Sequence, residues 1–170
     1  NRLGKGMCII PGSQIDIPNY NRLLNQLNLG KIVSLEGKPG ASEKYVSFGN
    51  INWQHPIFDG LFADKKALNP INFYAYYNIK PSPNSENLIQ FQNGAPFLIE
   101  TSSDRGVSTL LTVPMQPDWT NILIRGFVVP LTYRIVYYSV TKSENIRRAI
   151  TVGENFQYSF ESLSPPYQFQ

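Results

Sequence analysis

The chain has 170 residues, of which 42% are hydrophobic and 16% charged, and its formal net charge is +3. This length allows one domain with a substantial core, and the basic residues are too scattered for a nucleic-acid interface. One cysteine and one histidine exclude an internal disulfide and Cys/His metal sites. We therefore expect no metal, no cofactor and no nucleic-acid partner.

The N-terminal part of the sequence predicts a strand, a helix and a second strand. The apolar residues 7–10 end at Pro11 and indicate a short buried strand. Asp16 can cap the helix that follows, and Gly30 stands where a C-terminal glycine is typical. Residues 31–35 indicate the next strand. This order predicts a βαβ unit with a parallel strand pair.

In the middle of the chain five strands are indicated by apolar or alternating runs between turn residues: 45–50, 73–79, 88–91, 96–101 and 107–113. The last three of these strands are predicted to form an antiparallel meander. The Asn93-Gly94 pair is typical of a tight hairpin turn between the third and fourth of these strands. Because the meander is antiparallel and the N-terminal pair is parallel, we expect a mixed sheet.

A C-terminal helix is predicted by apolar residues at helical spacing. Together they make one apolar face: Phe127, Val128, Leu131, Ile135, Val136 and Val140. After residue 147 the pattern alternates, which is typical of strands. The sequence therefore predicts an α/β domain over residues 1–142, and a linker with the start of a β-rich segment over residues 143–170.

The turn after the first strand is a place where many α/β enzymes hold a nucleophile. A nucleophile elbow needs small residues two positions before and two positions after the nucleophile. Cys8 has Ile10 on one side, and Ser13 has Ile15. We therefore interpret Cys8 as a buried, inert core thiol and Ser13 as a turn or helix-cap residue.

His55 is the only imidazole, and the acids nearest to it in sequence are Asp59 and Asp64. No local motif joins it to a nucleophile. Since triads assemble in space, His55 and Ser13 are kept as weak catalytic candidates. The favoured interpretation of His55 is a structural hydrogen-bonding role.

The carboxylates of Glu100 and Asp104 flank the corner after a predicted hairpin strand, beside Arg105. Their position predicts an exposed salt-bridge cluster at a turn. Such a cluster contributes under about 1 kcal/mol to stability.

Several segments together resemble a known family. They are GKGMCIIPG, HPIF with DGLF, NGAPFLIETSSDRGVSTLLTVPM, and PDWTN followed by FVVPLTYRI. In this order they resemble the class I glutamine-amidotransferase-like (flavodoxin-like) domain of bacterial membrane proteins of the aerotolerance, or Bat, type. The resemblance covers residues 4–140. It implies a partial flavodoxin-like mixed sheet with flanking helices, an antiparallel meander and a short C-terminal β extension.

Two departures from that family bear on chemistry. The amidotransferases place a cysteine at the elbow, where this sequence has Pro11-Gly12-Ser13. A His-x-Glu motif before the C-terminal helix is also missing. We therefore expect a protein that is not an enzyme. The sequence begins at the elbow strand, so we also expect that the N-terminal half of the fold is absent.

The resemblance implies a non-catalytic binding or scaffolding module. It would lie on the periplasmic side of the cell envelope, in a protein anchored in the inner membrane by segments outside this chain. Its expected partners are envelope proteins, or a second copy that covers the open sheet edge. The binding residues that we expect are Trp53, His55, Phe58, Asp118 and Trp119.

Two other functions remain open. One is a hydrolase or amidase of flavodoxin-like fold that uses His55 and an acid. The other is a carbohydrate-binding envelope module that uses exposed aromatic side chains: Trp53, Phe58, Phe62, Phe73, Tyr74, Tyr76 and Tyr77.

Overall fold

The computed structural model describes residues 6–61, 71–103 and 106–147. Within these ranges it is a mixed α/β fold, as predicted, with a five-stranded mixed sheet, a two-stranded antiparallel sheet and two α-helices. The strands are β1 (Met7–Ile9), β2 (Lys31–Gly37), β3 (Phe48–Ile51), β4 (Ala75–Lys80), β5 (Ser85–Phe91), β6 (Pro96–Ser103) and β7 (Gly106–Leu111). The helices are α1 (Ile17–Gln26) and α2 (Val128–Arg147), and short 3-10 turns span Pro56–Phe58 and Ile122–Ile124.

The larger sheet has the strand order β1-β7-β6-β5-β3. Strand β1 runs parallel to β7, and the other neighbouring strands are antiparallel. The predicted meander is thus confirmed, and so is its hairpin, in which Gly94 has a φ of 83°. Among the strands of the described residues β1 pairs only with β7, so it forms one edge of this sheet as described.

The predicted βαβ unit is wrong. Strand β2 does not join β1 but pairs antiparallel with β4, from Lys31 opposite Lys80 to Gly37 opposite Ala75. Along β2 only Ile32 is fully buried, and exposed residues alternate with more buried ones. A strand with one solvent-exposed face is typical of an antiparallel pair, whereas parallel strands are usually covered on both faces.

Helix α1 begins as predicted. The Asp16 carboxylate accepts a hydrogen bond from the Asn19 backbone N–H at 2.8 Å, which satisfies one of the unpaired donors of the first turn. The helix ends earlier than the position of Gly30 suggests, and Asn28 takes the left-handed conformation with a φ of 55°. A short polar side chain tolerates this conformation better than most.

The core of the fold is largely aromatic. Phe48 packs against Phe73 and Phe97 with ring centroids 4.9 Å apart in both pairs, and Phe73 lies 5.0 Å from Phe91. Phe127, just before α2, reaches the same cluster at 5.3 Å from Phe48. The aromatic residues of the sequence therefore hold the sheet and the start of α2 together.

The predicted single apolar face of α2 is wrong in part. Leu131 and Ile135 are buried as expected, but Val136 and Val140 are exposed on the opposite side. The helix continues to Arg147, so the predicted domain boundary at residue 142 falls inside it. Residues 148–170, where a β-rich segment is predicted, lie outside the described part of the chain.

Candidate functional site

The two nucleophile candidates lie in β1 and in the turn that follows it. The Tyr77 hydroxyl donates to the Gly12 and Ser13 carbonyl oxygens at 3.1 and 3.2 Å, so Ser13 belongs to a braced turn. Cys8 lies in β1 opposite Thr109, as the prediction of a strand requires, but it is only partly buried. Burial raises the pKa of its thiol, which disfavours the reactive thiolate.

His55 begins the 3-10 turn Pro56–Phe58 and is buried. Its Nδ1 accepts the Ile57 backbone N–H at 3.3 Å, so the neutral ring carries its proton on Nε2. Nε2 lies 3.3 Å from the Tyr138 hydroxyl and 3.3 Å from Glu100 Oε2. The acid beside His55 is therefore Glu100 on β6, and not one of the acids close to it in sequence.

Glu100 is only 3% exposed, which corrects the prediction of a surface cluster at a turn. Its Oε1 accepts hydrogen bonds from Lys142 Nζ at 2.9 Å, from the Tyr138 hydroxyl at 3.1 Å and from the Ser102 hydroxyl at 2.9 Å. Strand β6 lies inside the sheet, which is why Glu100 is buried along with its neighbours. The other members of the predicted cluster, Asp104 and Arg105, lie outside the described residues.

The protonation states in this polar cluster follow from burial and pairing. Burial lowers the pKa of His55 more than the nearby Glu100 carboxylate raises it, so the imidazole is neutral at pH 7 despite that contact. Burial alone would lower the pKa of Lys142, but its hydrogen bonds to Tyr138 and Glu100 outweigh this effect and raise it. Burial raises the pKa of Tyr138. The cluster therefore holds one ion pair, between Glu100 and Lys142.

The cluster lacks the order of groups that nucleophilic catalysis needs. In a Ser-His-acid relay the imidazole stands between the hydroxyl and the carboxylate. Here the Glu100 carboxylate stands between Ser102 and His55. Among the hydrogen bonds of the described residues, none joins His55 to Ser13 or to another nucleophile. Glu100 Oε2 is buried without a hydrogen-bond donor, since the approach of His55 is not aligned as a hydrogen bond.

A cleft of about 290 Å³ lies beside the cluster, and Lys142, whose side chain is 34% exposed, reaches it. Its other walls are polar side chains of β5 and β6, among them Glu86 and Ser102. His55 and Tyr138 are not part of the lining. The cluster thus works mainly as an anchor that ties α2 to β6.

The other predicted binding residues do not converge on one site. Phe58 packs near His55, with ring centroids 6.4 Å apart, and Trp53 packs on Phe58 at 5.6 Å. Trp119 is buried against Tyr77 at 5.2 Å, next to the exposed Asp118. Most aromatic residues proposed for sugar stacking are likewise buried: Phe58, Phe73, Tyr76 and Tyr77. The aromatic argument for carbohydrate binding therefore loses its support, and Phe62 lies outside the described residues.

Helix α2 shows two different faces. On the inner face, besides the Glu100 contacts, Arg134 donates from Nε to the Ile57 carbonyl at 3.2 Å and from Nη2 to the Pro56 carbonyl at 2.6 Å. The opposite face, which we call the outer stripe, consists of exposed apolar and aromatic residues at helical spacing: Val129, Tyr133, Val136, Tyr137 and Val140. Tyr133 and Tyr137 stack at 6.3 Å.

The start of β1 packs against α2. A Cβ on Gly6 would lie 2.3 Å from the Ser139 Cβ, so the chain entering β1 runs directly against this helix. Ser139 is buried and lies one turn from Val136 of the outer stripe. Met7 of β1 and Ile10, which follows the strand, are exposed. The helix that carries the outer stripe is thus in direct contact with the edge strand β1.

Sequence reasoning missed the polar cluster that His55 forms with Glu100 and Tyr138, and to which Lys142 bonds. Two signals were available. Glu100 directly follows the apolar residues at the start of β6, where a buried acid needs a partner. Tyr138 and Lys142 are four residues apart and so share one face of a helix.

Neither helix of the described region is long and apolar enough to cross a membrane. Within the same described residues, the His, Cys, Asp and Glu side chains form no group of three or more that could hold a metal ion.

Solved structures that are similar to this chain include two proteins from Salmonella typhimurium. Cytoplasmic protein STM3548 from Salmonella typhimurium matches with a TM-score of 0.62 and 16% identity, over 79% of this chain and 55% of that chain. Cytoplasmic protein STM1381 from Salmonella typhimurium LT2 matches with a TM-score of 0.52 and 20% identity, over 83% of this chain and 55% of that chain. At these identities the likeness shows the fold alone, and the chain spans about half the length of each.

No protein-family model matches the chain, and no curated protein matches it. The resemblance to aerotolerance-type proteins therefore stays a prediction. The predicted periplasmic, membrane-anchored location is wrong by the structural comparison, because both similar proteins are described as cytoplasmic.

Proposed function

We propose that the chain is a non-catalytic binding module that docks a second copy of itself through the outer stripe of α2 and the open edge of β1. The observation that carries this proposal is the outer stripe. Its members are largely exposed, with Val129 at 74% and Tyr133 at 67%. Single exposed apolar residues are ordinary, but a contiguous apolar patch is typical of an interaction surface.

The anchoring of α2 fixes the direction in which the outer stripe faces. Turning the helix to bury the stripe would expose Leu131 and Ile135, which are now fully buried. It would also break the hydrogen bonds that tie Lys142 and Arg134 to the sheet and to the 3-10 turn Pro56–Phe58. Removing one partner from an ion pair whose acid is buried and whose lysine is one-third exposed costs about 2 kcal/mol, so the present orientation is favoured. In this orientation the stripe is exposed among the described residues, and a partner would supply its cover.

We propose in addition that the fold is part of a flavodoxin-like sheet. The parallel pairing of β1 with β7, the packing of α2 on this pair, and the tight turn from β1 into α1 support this assignment. In such a sheet the next strand beyond β1 is also parallel and carries a helix on the same face as α2. The partner that fits is therefore a β-strand that pairs with β1, together with a helix whose apolar face packs on the outer stripe.

The non-catalytic part of the proposal rests on His55. Within the described residues it contacts an acid and a tyrosine hydroxyl but no nucleophile. Ser13→Ala should therefore leave partner binding and folding unchanged.

Hydrogen exchange tests the docking surface. In the purified protein, the backbone amides of β1 should become more protected as the concentration rises from low to high micromolar, because a second copy then covers part of the surface. The increase should disappear in Tyr133→Glu/Val136→Glu. Protection of β1 that is independent of concentration and of these substitutions would contradict the proposal.

A further inference from the structure

A second cleft lies at the β4–β5 loop and shares Pro83 with the cleft beside the Glu100 cluster. Its volume is about 240 Å³, and it lies between the end of α1 and residues 80–83. The polar side chains that line it are those of Asn25, Asn28, Lys31, Lys80 and Ser82. All of them can donate hydrogen bonds, and none is acidic.

The two lysines face each other across the β2–β4 ladder. Lys31 and Lys80 are register partners, so their side chains leave the same face of the ladder with Cβ atoms about 4.5–5.5 Å apart. Like charges placed directly opposite each other on neighbouring strands destabilise a sheet. Neither lysine forms a salt bridge with a carboxylate of the described residues. The pair therefore presents two uncompensated positive charges to the cleft.

The end of α1 is a competing explanation for the lysine pair, because cations stabilise the negative end of a helix dipole. Asn25 is in the last turn of α1, and this turn contains no basic residue of its own. However, a helix end is equivalent to only about half an elementary charge. Two ammonium groups exceed it by a factor of about four, which leaves the cleft positively charged.

The backbones of the two lysines are held side by side. Gly30 has a φ of 113°, and a Cβ at this position would lie 2.3 Å from the Lys80 carbonyl oxygen. The turn before Lys31 therefore packs directly on the backbone of Lys80. This packing and the β2–β4 register keep the two lysine positions adjacent.

We propose that this cleft binds the phosphate group of a small ligand. Ammonium groups act as compact point charges and commonly bind phosphate, whereas planar carboxylates are better matched by arginine. The amides of Asn25 and Asn28 and the Ser82 hydroxyl add neutral donors. Whole-ligand pockets usually measure about 300–1,000 Å³, so this smaller cleft suits the anionic group alone, with the rest of the ligand outside.

Titration with inorganic phosphate, followed by amide chemical shifts at constant ionic strength, tests the proposal. We expect saturable shifts centred on Gly30, Lys31 and Ser82, and an affinity about tenfold or more weaker in Lys31→Gln/Lys80→Gln. The matched control is Lys38→Gln/Lys44→Gln, which removes two exposed lysines outside the cleft and should bind as the wild type does. The same spectra report whether each variant is folded.

Two further ligands identify the chemistry. If glycerol 3-phosphate binds more tightly than inorganic phosphate, the natural ligand is a phosphate ester. If the two bind with equal affinity, the ligand is the free phosphate anion. Acetate that binds as well as phosphate would overturn the proposal. So would shifts that do not saturate, or an equal loss of affinity in the control. As an independent readout, phosphate should raise the melting temperature of the wild type but not of Lys31→Gln/Lys80→Gln.

Discussion

At the scale of single residues, Glu100 and Glu86 show how position decides what a carboxylate does. They are register partners on β5 and β6, so the same side-chain type occurs on neighbouring strands. Glu86 is exposed and accepts one hydrogen bond from Asn52, whereas Glu100 is buried and accepts bonds from Lys142, Tyr138 and Ser102. The buried carboxylate should therefore matter far more to stability.

Glu100→Gln should lower the free energy of unfolding by about 2 kcal/mol, because it leaves Lys142 without its counter-charge. This is less than for a fully buried pair, because Lys142 is one-third exposed. Glu86→Gln is the matched control and should change stability by less than about 0.5 kcal/mol. Urea denaturation measures both, and equal effects would contradict the anchoring role of Glu100.

Removing the hydroxyl of Tyr20 and removing the hydroxyl of Tyr77 should change the stability of the protein in opposite directions. The Tyr20 hydroxyl is buried without a hydrogen-bond partner, and burial together with nearby Tyr77 raises its pKa to about 12. The Tyr77 hydroxyl donates to the Gly12 and Ser13 carbonyls. Tyr20→Phe should therefore stabilise the protein by about 1 kcal/mol, and Tyr77→Phe should destabilise it by about 1 kcal/mol. Denaturation curves of the two variants compare them directly, and a loss of stability in Tyr20→Phe would contradict the assignment.

The pH dependence of stability should reflect His55. Burial lowers its pKa below the ordinary 6.5, so the unfolded chain binds a proton in a range where the folded protein does not. The free energy of unfolding should therefore fall as the pH drops through about 6.5 toward the lower folded pKa. His55→Asn keeps an acceptor for the Ile57 N–H but cannot titrate. Between about pH 7.5 and pH 5 the free energy of unfolding of this variant should fall less than that of the wild type. Urea denaturation at several pH values measures both, and an equal fall in the two proteins would contradict the role of His55.

Local features could be predicted from the sequence, whereas contacts across the fold could not. Asp16 caps α1 and Gly94 turns the hairpin because both roles depend only on neighbouring backbone groups. The burial of Glu100 depends on β6 lying inside the sheet and on a helix about forty residues later. No local sequence pattern around His55 predicts that Glu100 or Tyr138 lies beside it.

At the scale of elements, the contact between β1 and α2 depends on a glycine. A Cβ on Gly6 would lie 2.3 Å from the Ser139 Cβ, but one on Gly12 would meet nothing closer than 3.9 Å. Gly6→Ala should destabilise the protein by about 1–3 kcal/mol through overpacking. Gly12→Ala should stay within about 0.5 kcal/mol of the wild type.

Thiol labelling adds a local readout for the same pair of variants. Since Cys8 lies in β1, a strand loosened by Gly6→Ala should expose it and speed its reaction with a thiol reagent. Slow labelling in both glycine variants, with equal stability, would contradict the close packing of β1 against α2.

The order of the elements could be predicted better than their pairing. Each predicted strand from β1 to β7 is present, because alternation and turn residues indicate strands locally. The partner of β2 could not be read from the sequence, since its register with β4 depends on contacts across forty residues. The faces of α2 were also misassigned, because apolar residues occur all round this helix and periodicity alone does not tell a core face from a docking face.

At the scale of the whole molecule, the buried charges and the exposed apolar surface belong to one arrangement. The Glu100 cluster and Arg134 hold the inner face of α2, and this fixes which residues point outward. The same helix packs against β1, which is an edge strand among the described strands, and the backbone groups of an edge strand are open to pairing. The central claim is that this surface is a docking site.

Sedimentation velocity over a range of micromolar concentrations tests this claim most directly. The variant Tyr133→Glu/Val136→Glu places charge on the outer stripe, and the matched control Tyr45→Glu/Val33→Glu changes residues of similar exposure elsewhere, at 56% and 61%. We predict that the wild type and the control associate with rising concentration, whereas the stripe variant stays at the monomer mass of 19.3 kDa. A wild type that remains monomeric throughout, or a stripe variant that associates as the control does, would contradict the account.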